Sequence, residues 1–165
     1  MYSESSRKTE DESRTGERPL HVALAGVPNS GKTSIFNFLT GLRHKVANYP
    51  GITVEKKTGR MDLKSGTSAV VIDLPGTYSL YGDSPDEHVA AKYLAGLDSS
   101  VRPDVIICTA DVCNLDRNLY LAVQLLDLGI PLVLAITKHD RAIKRGVRLH
   151  RALLARGLGV PVVDL

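Results

Sequence analysis

Gly26-Val27-Pro28-Asn29-Ser30-Gly31-Lys32-Thr33 decides the architecture of this chain. An apolar run, Leu20-His21-Val22-Ala23-Leu24-Ala25, leads into it, and Ser34-Ile35-Phe36-Asn37-Phe38-Leu39 follows with helical character. Strand, glycine loop and helix form the setting in which G-x-x-x-x-G-K-[ST] cradles phosphate. The two glycines let successive backbone N–H groups turn inward, and the helix adds its positive end. Lys32 supplies a point charge to the β- and γ-phosphates. The Thr33 hydroxyl is a hard oxygen ligand suited to Mg²⁺, and Ser34 opens the helix beside it.

Later residues narrow the class. Val70-Val71-Ile72-Asp73-Leu74-Pro75-Gly76 reads as a buried strand ending in an acid and a Pro-Gly turn. Asp73 is placed to hold Mg²⁺ through water, and Gly76 to bring a backbone N–H close to a γ-phosphate. Leu132 to Ile136 forms another strand, delivering Thr137-Lys138-His139-Asp140 at its carboxyl end. A carboxylate at Asp140 accepts the N1–H and 2-amino protons of guanine, a pair that adenine lacks, and the Lys138 stem can lie along the base. Thr137 stands where many GTPases carry Asn, so one loop-bracing hydrogen bond is expected to be changed or lost. Asn48-Tyr49-Pro50-Gly51-Ile52-Thr53-Val54-Glu55 reads as a mobile segment whose Thr53 completes the Mg²⁺ shell when a third phosphate is present. The expected nucleotide contacts are therefore residues 26–34, 51–55, 73–76 and 137–140.

With these motifs and Asp73-Leu74-Pro75-Gly76-Thr77-Tyr78-Ser79-Leu80 the chain resembles the cytosolic G domain of FeoB-type ferrous-iron transporters, across roughly residues 20 to 163. Ser84-Pro85-Asp86-Glu87, Arg102-Pro103-Asp104-Val105 and Asn114-Leu115-Asp116-Arg117-Asn118-Leu119 extend the likeness. The resemblance implies a slow GTPase switch with GTP and GDP as ligands. It also implies that K⁺, bound by Asn29 and switch-loop carbonyls, stands in for an arginine finger. The catalytic set it implies is Lys32, Asn29, Thr53, Gly76 and Thr77, with Mg²⁺ on Thr33, Thr53 and Asp73. Thr77 occupies the place of the Ras-like catalytic glutamine and is expected to help place water through its backbone. Where the family usually has Asn-Met-x-Asp, this chain has Thr137-Lys138-His139-Asp140. The alternatives are a GTP/GDP-sensing module without useful hydrolysis and, disfavoured by Asp140, an ATPase or small-molecule kinase.

At 165 residues the chain fits one domain, and no apolar run approaches the length of a membrane span. It can gate or report, but cannot itself conduct iron. Cys108 and Cys113 offer no disulfide framework and suit a reducing cytoplasm, at the cytosolic face of the inner membrane if the chain is attached to a transporter. The five histidines have no metal-ligand spacing. Lys144, Arg145, Arg148, Arg151 and Arg156 cluster late in the chain, where a solvated helix face is expected and contact with acidic membrane headgroups or another domain is the alternative; the lack of aromatic platforms argues against nucleic acid.

Residues 1–18 are polar and of mixed charge, and are expected to form a disordered tail before a G domain spanning 19–165. From Leu20 onward, alternating strands and helices predict an α/β P-loop NTPase G-domain: a mostly parallel six-stranded sheet with one antiparallel strand. A hairpin is expected to turn at Lys64-Ser65-Gly66. Ser84 caps a helix to about Ala95, and Asn114 caps another with Leu115, Leu119, Ala122, Val123 and Leu126 as its apolar stripe. Val160 to Leu165 reads as the final strand, with the fifth base-contact motif and last helix expected to be missing. One sheet face is then expected to be left for a membrane transporter domain or another protein to cover.

Overall fold

The computed structural model describes residues 18–49, 52–97 and 101–165. Of the expected tail, Arg18 alone falls in this range, and its guanidinium pairs with Asp104 at 2.6 Å. The elements run β1 (Leu20–Gly26), α1 (Lys32–Thr40), β2 (His44–Asn48), β3 (Glu55–Asp62), β4 (Ser68–Asp73), α2 (Pro85–Ala95), β5 (Val105–Asp111), α3 (Leu115–Leu126), β6 (Leu132–Thr137), α4 (His139–Lys144), α5 (Arg151–Leu158) and β7 (Val162–Asp164).

The strands form one seven-stranded sheet in the order β2-β3-β4-β1-β5-β6-β7. β1 pairs in parallel with β4 and β5, and β6 with β5 and β7. β3 is antiparallel to both of its neighbours, so it alone runs against the rest. The mostly parallel sheet with a single reversed strand is as expected, but it has seven strands, not six. The added strand is β2, registered on β3 from His44↔Gly59 to Asn48↔Glu55. All five of its residues are exposed, so no alternating pattern marks it; its ladder is a backbone property. The hairpin turns where expected, with the Leu63 N–H donating to the Thr67 carbonyl at 2.9 Å.

Alternation along β1 sorts the core into two layers. Val22 and Leu24 face α1, together with Phe36, Ala69 and Val71. Ala23 and Ala25 face the other way, toward a layer built from Val89 and Tyr93 of α2, Leu121 and Leu125 of α3, and the half-buried Leu154 and Leu158 of α5. α1 packs over β1, β3 and β4. Farther along that face Val105, Ile107 and Val133 are only half-buried, and Val163 and Leu165 are exposed. Among the described residues no helix is long and apolar enough to cross a membrane.

Helix ends follow their chemistry. Ser84 and Glu87 close a reciprocal capping box at α2, and Gly96 ends it in the left-handed conformation. α3 departs from the expected stripe. Its buried face carries Asn118, Leu121, Ala122, Gln124 and Leu125, while Val123 is exposed. Two amides are buried there because each accepts from a backbone N–H: Asn118 Oδ1 from Asp111 at the end of β5, and Gln124 Oε1 from Leu80. Asn114 sits at the expected cap position, but its side chain makes no cap bond. Its Nδ2 donates instead to Asp111 Oδ2 at 3.0 Å.

Candidate functional site

The phosphate-loop motif lies at the carboxyl end of β1, flanked by the ends of β4 and β5, with β6 next. This is where open α/β sheets bind ligands. The loop is built to present N–H groups. Asn29 and Gly31 both take positive φ, 62° and 89°. α1 begins at Lys32 with no side-chain cap and no acid in its first turn, so its leading N–H groups and positive end face the loop without a competing anion. Ser30 is buried, whereas Pro28, Asn29, Thr33 and Ser34 are exposed.

Two neighbouring strands brace this loop. Ser30 Oγ and Thr109 Oγ1 of β5 share a 2.5 Å hydrogen bond, and the Thr109 hydroxyl also reaches the Ala25 carbonyl at 3.3 Å. A Cβ at Gly26 would stand 2.0 Å from that same hydroxyl, so strand and loop can touch only without a side chain there. From β6, Thr137 Oγ1 donates to the Ser30 carbonyl at 2.6 Å and lies 3.2 Å from the Ala110 carbonyl. Of the two expected outcomes at Thr137, a changed or a lost brace, the structure shows a changed one. The hydroxyl is short, but β6 lies close enough for it to reach the loop.

Lys32 Nζ meets Asp73 Oδ1 at 2.6 Å, with both side chains largely buried. The residue expected to hold phosphate and the residue expected to hold Mg²⁺ are therefore neighbours bonded to each other. Gly76 lies against the loop as well, since a Cβ there would sit 3.2 Å from Pro28 Cα. Thr77 is buried, and its N–H donates to the Gly26 carbonyl at 3.2 Å. The expectation that Thr77 places water through its backbone meets an engaged donor. That N–H already joins the turn to β1. Its hydroxyl closes a local turn onto the Ser79 carbonyl.

The rest of that turn is anchored on α3, which the sequence did not announce. Gln124 Oε1 accepts from the Leu80 N–H at 2.8 Å and the Ser79 hydroxyl at 3.2 Å, and Arg117 stacks 3.9 Å over the Tyr78 ring.

At the base motif, Lys138 adopts φ 62° and its Nζ donates to Asp111 Oδ2 at 2.8 Å. Asp111 was another unannounced residue. It also accepts from the Cys113 N–H and Asn114 Nδ2. Burial alone would raise its pKa, but these bonds and the Lys138 charge outweigh it and hold the carboxyl below its ordinary value. Polar residues at the carboxyl end of an otherwise apolar strand, Thr109 and Asp111, were the available signal. His139 turns toward β7, its ring 3.1 Å from Asp164 Oδ1. Asp140 and Thr53 are exposed, as are Ile52 and Glu55. Tyr49 anchors the near end of that segment through its N–H to the Val54 carbonyl at 2.9 Å. Pro50 and Gly51 lie outside the described residues.

Comparison with known proteins agrees in one direction. The family model described as ferrous iron transport protein B matches residues 20–165. The chain is 42% identical over 163 residues to the Fe(2+) transport protein A/Fe(2+) transporter FeoB fusion protein of Porphyromonas gingivalis; the match covers 96% of this chain but spans only 19% of that relative's length. The G domain of the T. maritima FeoB iron transporter superposes with a TM-score of 0.80 at 45% identity, covering 89% of this chain and 87% of that one. The cytosolic domain of the same transporter in its GMPPNP form gives 0.81 at 46% identity, covering 88% and 56%.

Proposed function

The chain belongs to the ferrous iron transport protein B family, and from that membership we propose that it is a guanine-nucleotide switch that hydrolyses GTP slowly. The observation that carries the reading is the joining of three motifs at one sheet end. Ser30 is tied to Thr137, Lys32 to Asp73, and Pro28 lies against Gly76.

In this reading residues 26–34 enclose the phosphates, with the uncapped start of α1 and Lys32 meeting their charge. Asp140 takes the guanine edge while Lys138, fixed by Asp111, lies along the ring. Thr33, Thr53 and Asp73 offer only oxygen donors, two of them exposed hydroxyls, a set that fits Mg²⁺. Mg²⁺ bound there supplies charge neutralisation for phosphoryl transfer. Asn29 presents an exposed amide on a left-handed bend, which fits K⁺ beside the phosphates. Gly76 brings its N–H toward the terminal phosphate, and Thr53 reads that phosphate's presence. As part of a longer transporter, the chain would act at the cytosolic face as its nucleotide-responsive element, with the rest of the protein covering the half-open sheet face.

One observation favours the second reading, a sensor of GTP against GDP without useful turnover: the Thr77 N–H is engaged by Gly26 and is not free to orient water. Single-turnover hydrolysis with and without K⁺, beside equilibrium binding of GTP, ATP and XTP, tests both. Guanine-selective binding that Lys32→Ala abolishes and Asp140→Asn shifts toward xanthine supports the nucleotide reading. Binding without K⁺-stimulated hydrolysis supports the sensor, and indifference to guanine nucleotides overturns both.

A further inference from the structure

Between Asp140 and Asp164 the chain carries Arg141, Lys144, Arg145, Arg148, Arg151 and Arg156, and no Asp or Glu. The whole chain has a net charge of only +3, so the remainder is net acidic. These six side chains belong to α4, α5 and the short turn between them, and all six residues are exposed. Arg151 approaches Asp164 at 3.5 Å; among the described residues the other five make no ion pair.

Aliphatic side chains stand exposed among them: Ile143 is 75% accessible and Leu153 63%. α5 spends Leu154, Ala155 and Leu158 on the core, which leaves Leu153 and Arg156 on its outer side. A solvated helix face needs no exposed Ile and Leu, and a nucleic-acid surface calls for aromatic platforms that residues 141–163 lack. Cations interleaved with protruding aliphatic groups suit the headgroup boundary of an anionic bilayer, where both are rewarded. The relatives it matches are named as Fe(2+) transporters, so a bilayer is a relevant surface to test.

We propose that the α4–α5 face docks on the anionic surface of a lipid bilayer. The docking is independent of the nucleotide reading, and its test uses no nucleotide.

The test is flotation of this chain with phosphatidylcholine vesicles, with and without roughly one-third phosphatidylglycerol, at low and high salt. Docking predicts binding that needs the anionic lipid and is lost at high salt. Arg145→Glu/Arg148→Glu should weaken it at least about tenfold, while Lys64→Glu/Lys92→Glu, an equal charge change elsewhere, should leave it within about twofold. Ile143→Ser/Leu153→Ser should weaken binding with the charge intact, and circular dichroism checks that each variant is folded. Equal binding to neutral vesicles would overturn the proposal. So would equal losses in both charge-reversal variants, or absence of vesicle binding, whether or not RNA is bound in its place.

Discussion

Thr137 donates its hydroxyl proton to the Ser30 carbonyl across 2.6 Å, joining strand β6 to the phosphate loop although the two residues are 107 positions apart. Both groups are buried, and the hydroxyl is nearer the Ser30 carbonyl than its alternative acceptor, the Ala110 carbonyl at 3.2 Å.

Removing that donor should loosen the loop. Thr137→Ala is expected to cost about 1–3 kcal/mol of stability, because the Ser30 carbonyl stays buried without its partner. Guanine-nucleotide affinity should fall with it, and Thr137→Ser should restore both. Urea unfolding and equilibrium titration with a fluorescent GDP analogue measure the two effects.

Thr109 braces the same residue from β5. Thr109→Val keeps the volume but strands the Ser30 hydroxyl, and a loss of about 1–3 kcal/mol is expected. Thr109→Ser should recover most of it. Equal stability of Thr109→Val and wild type in urea would remove the role.

Lys138 and Asp111 make an acid-sensitive pair. The folded Asp111 pKa is depressed, so its stabilising contribution is present above the ordinary carboxylate value of about 3.9 and is lost as pH falls through the lower folded value. Asp104, brought to about 2 chiefly by Arg18, has the same sign. In Lys138→Met the hydrogen bond and charge of Lys138 no longer oppose burial at Asp111, so its folded pKa should rise and acid destabilisation should begin at higher pH than in wild type. Melting temperature recorded from roughly pH 3 to 7 compares them.

Gln124 clamps the turn after Gly76. Gln124→Leu leaves the Leu80 N–H and Ser79 hydroxyl without their acceptor, and amide exchange at residues 79–81 should accelerate about tenfold or more. Unchanged protection there would show that Arg117 and Tyr78 hold the turn without Gln124.

The phosphate loop, the hairpin and the Ser84 capping box were legible because each depends on residue types at fixed short spacing. β2 was not, since its ladder uses backbone atoms and its side chains all face solvent. The buried side of α3 was misplaced because Asn118 and Gln124 look like surface residues until the backbone N–H groups of Asp111 and Leu80 that they accept from are in view. Residue type alone could likewise not tell that Thr137 reaches Ser30, which depends on the spacing of β1 and β6 across β5. Among the proposed nucleotide-contact positions, the pairing of Lys32 with Asp73 is likewise a matter of distance.

If the proposed phosphate site is right, that last pairing would make ligand arrival an exchange of partners. A phosphate that draws Lys32 away strands a buried carboxylate, a state too costly to persist without a replacement cation at Asp73. On the proposed reading, nucleotide and a divalent ion would enter as a thermodynamic unit, and removing the ion with a chelator should expel the nucleotide as well.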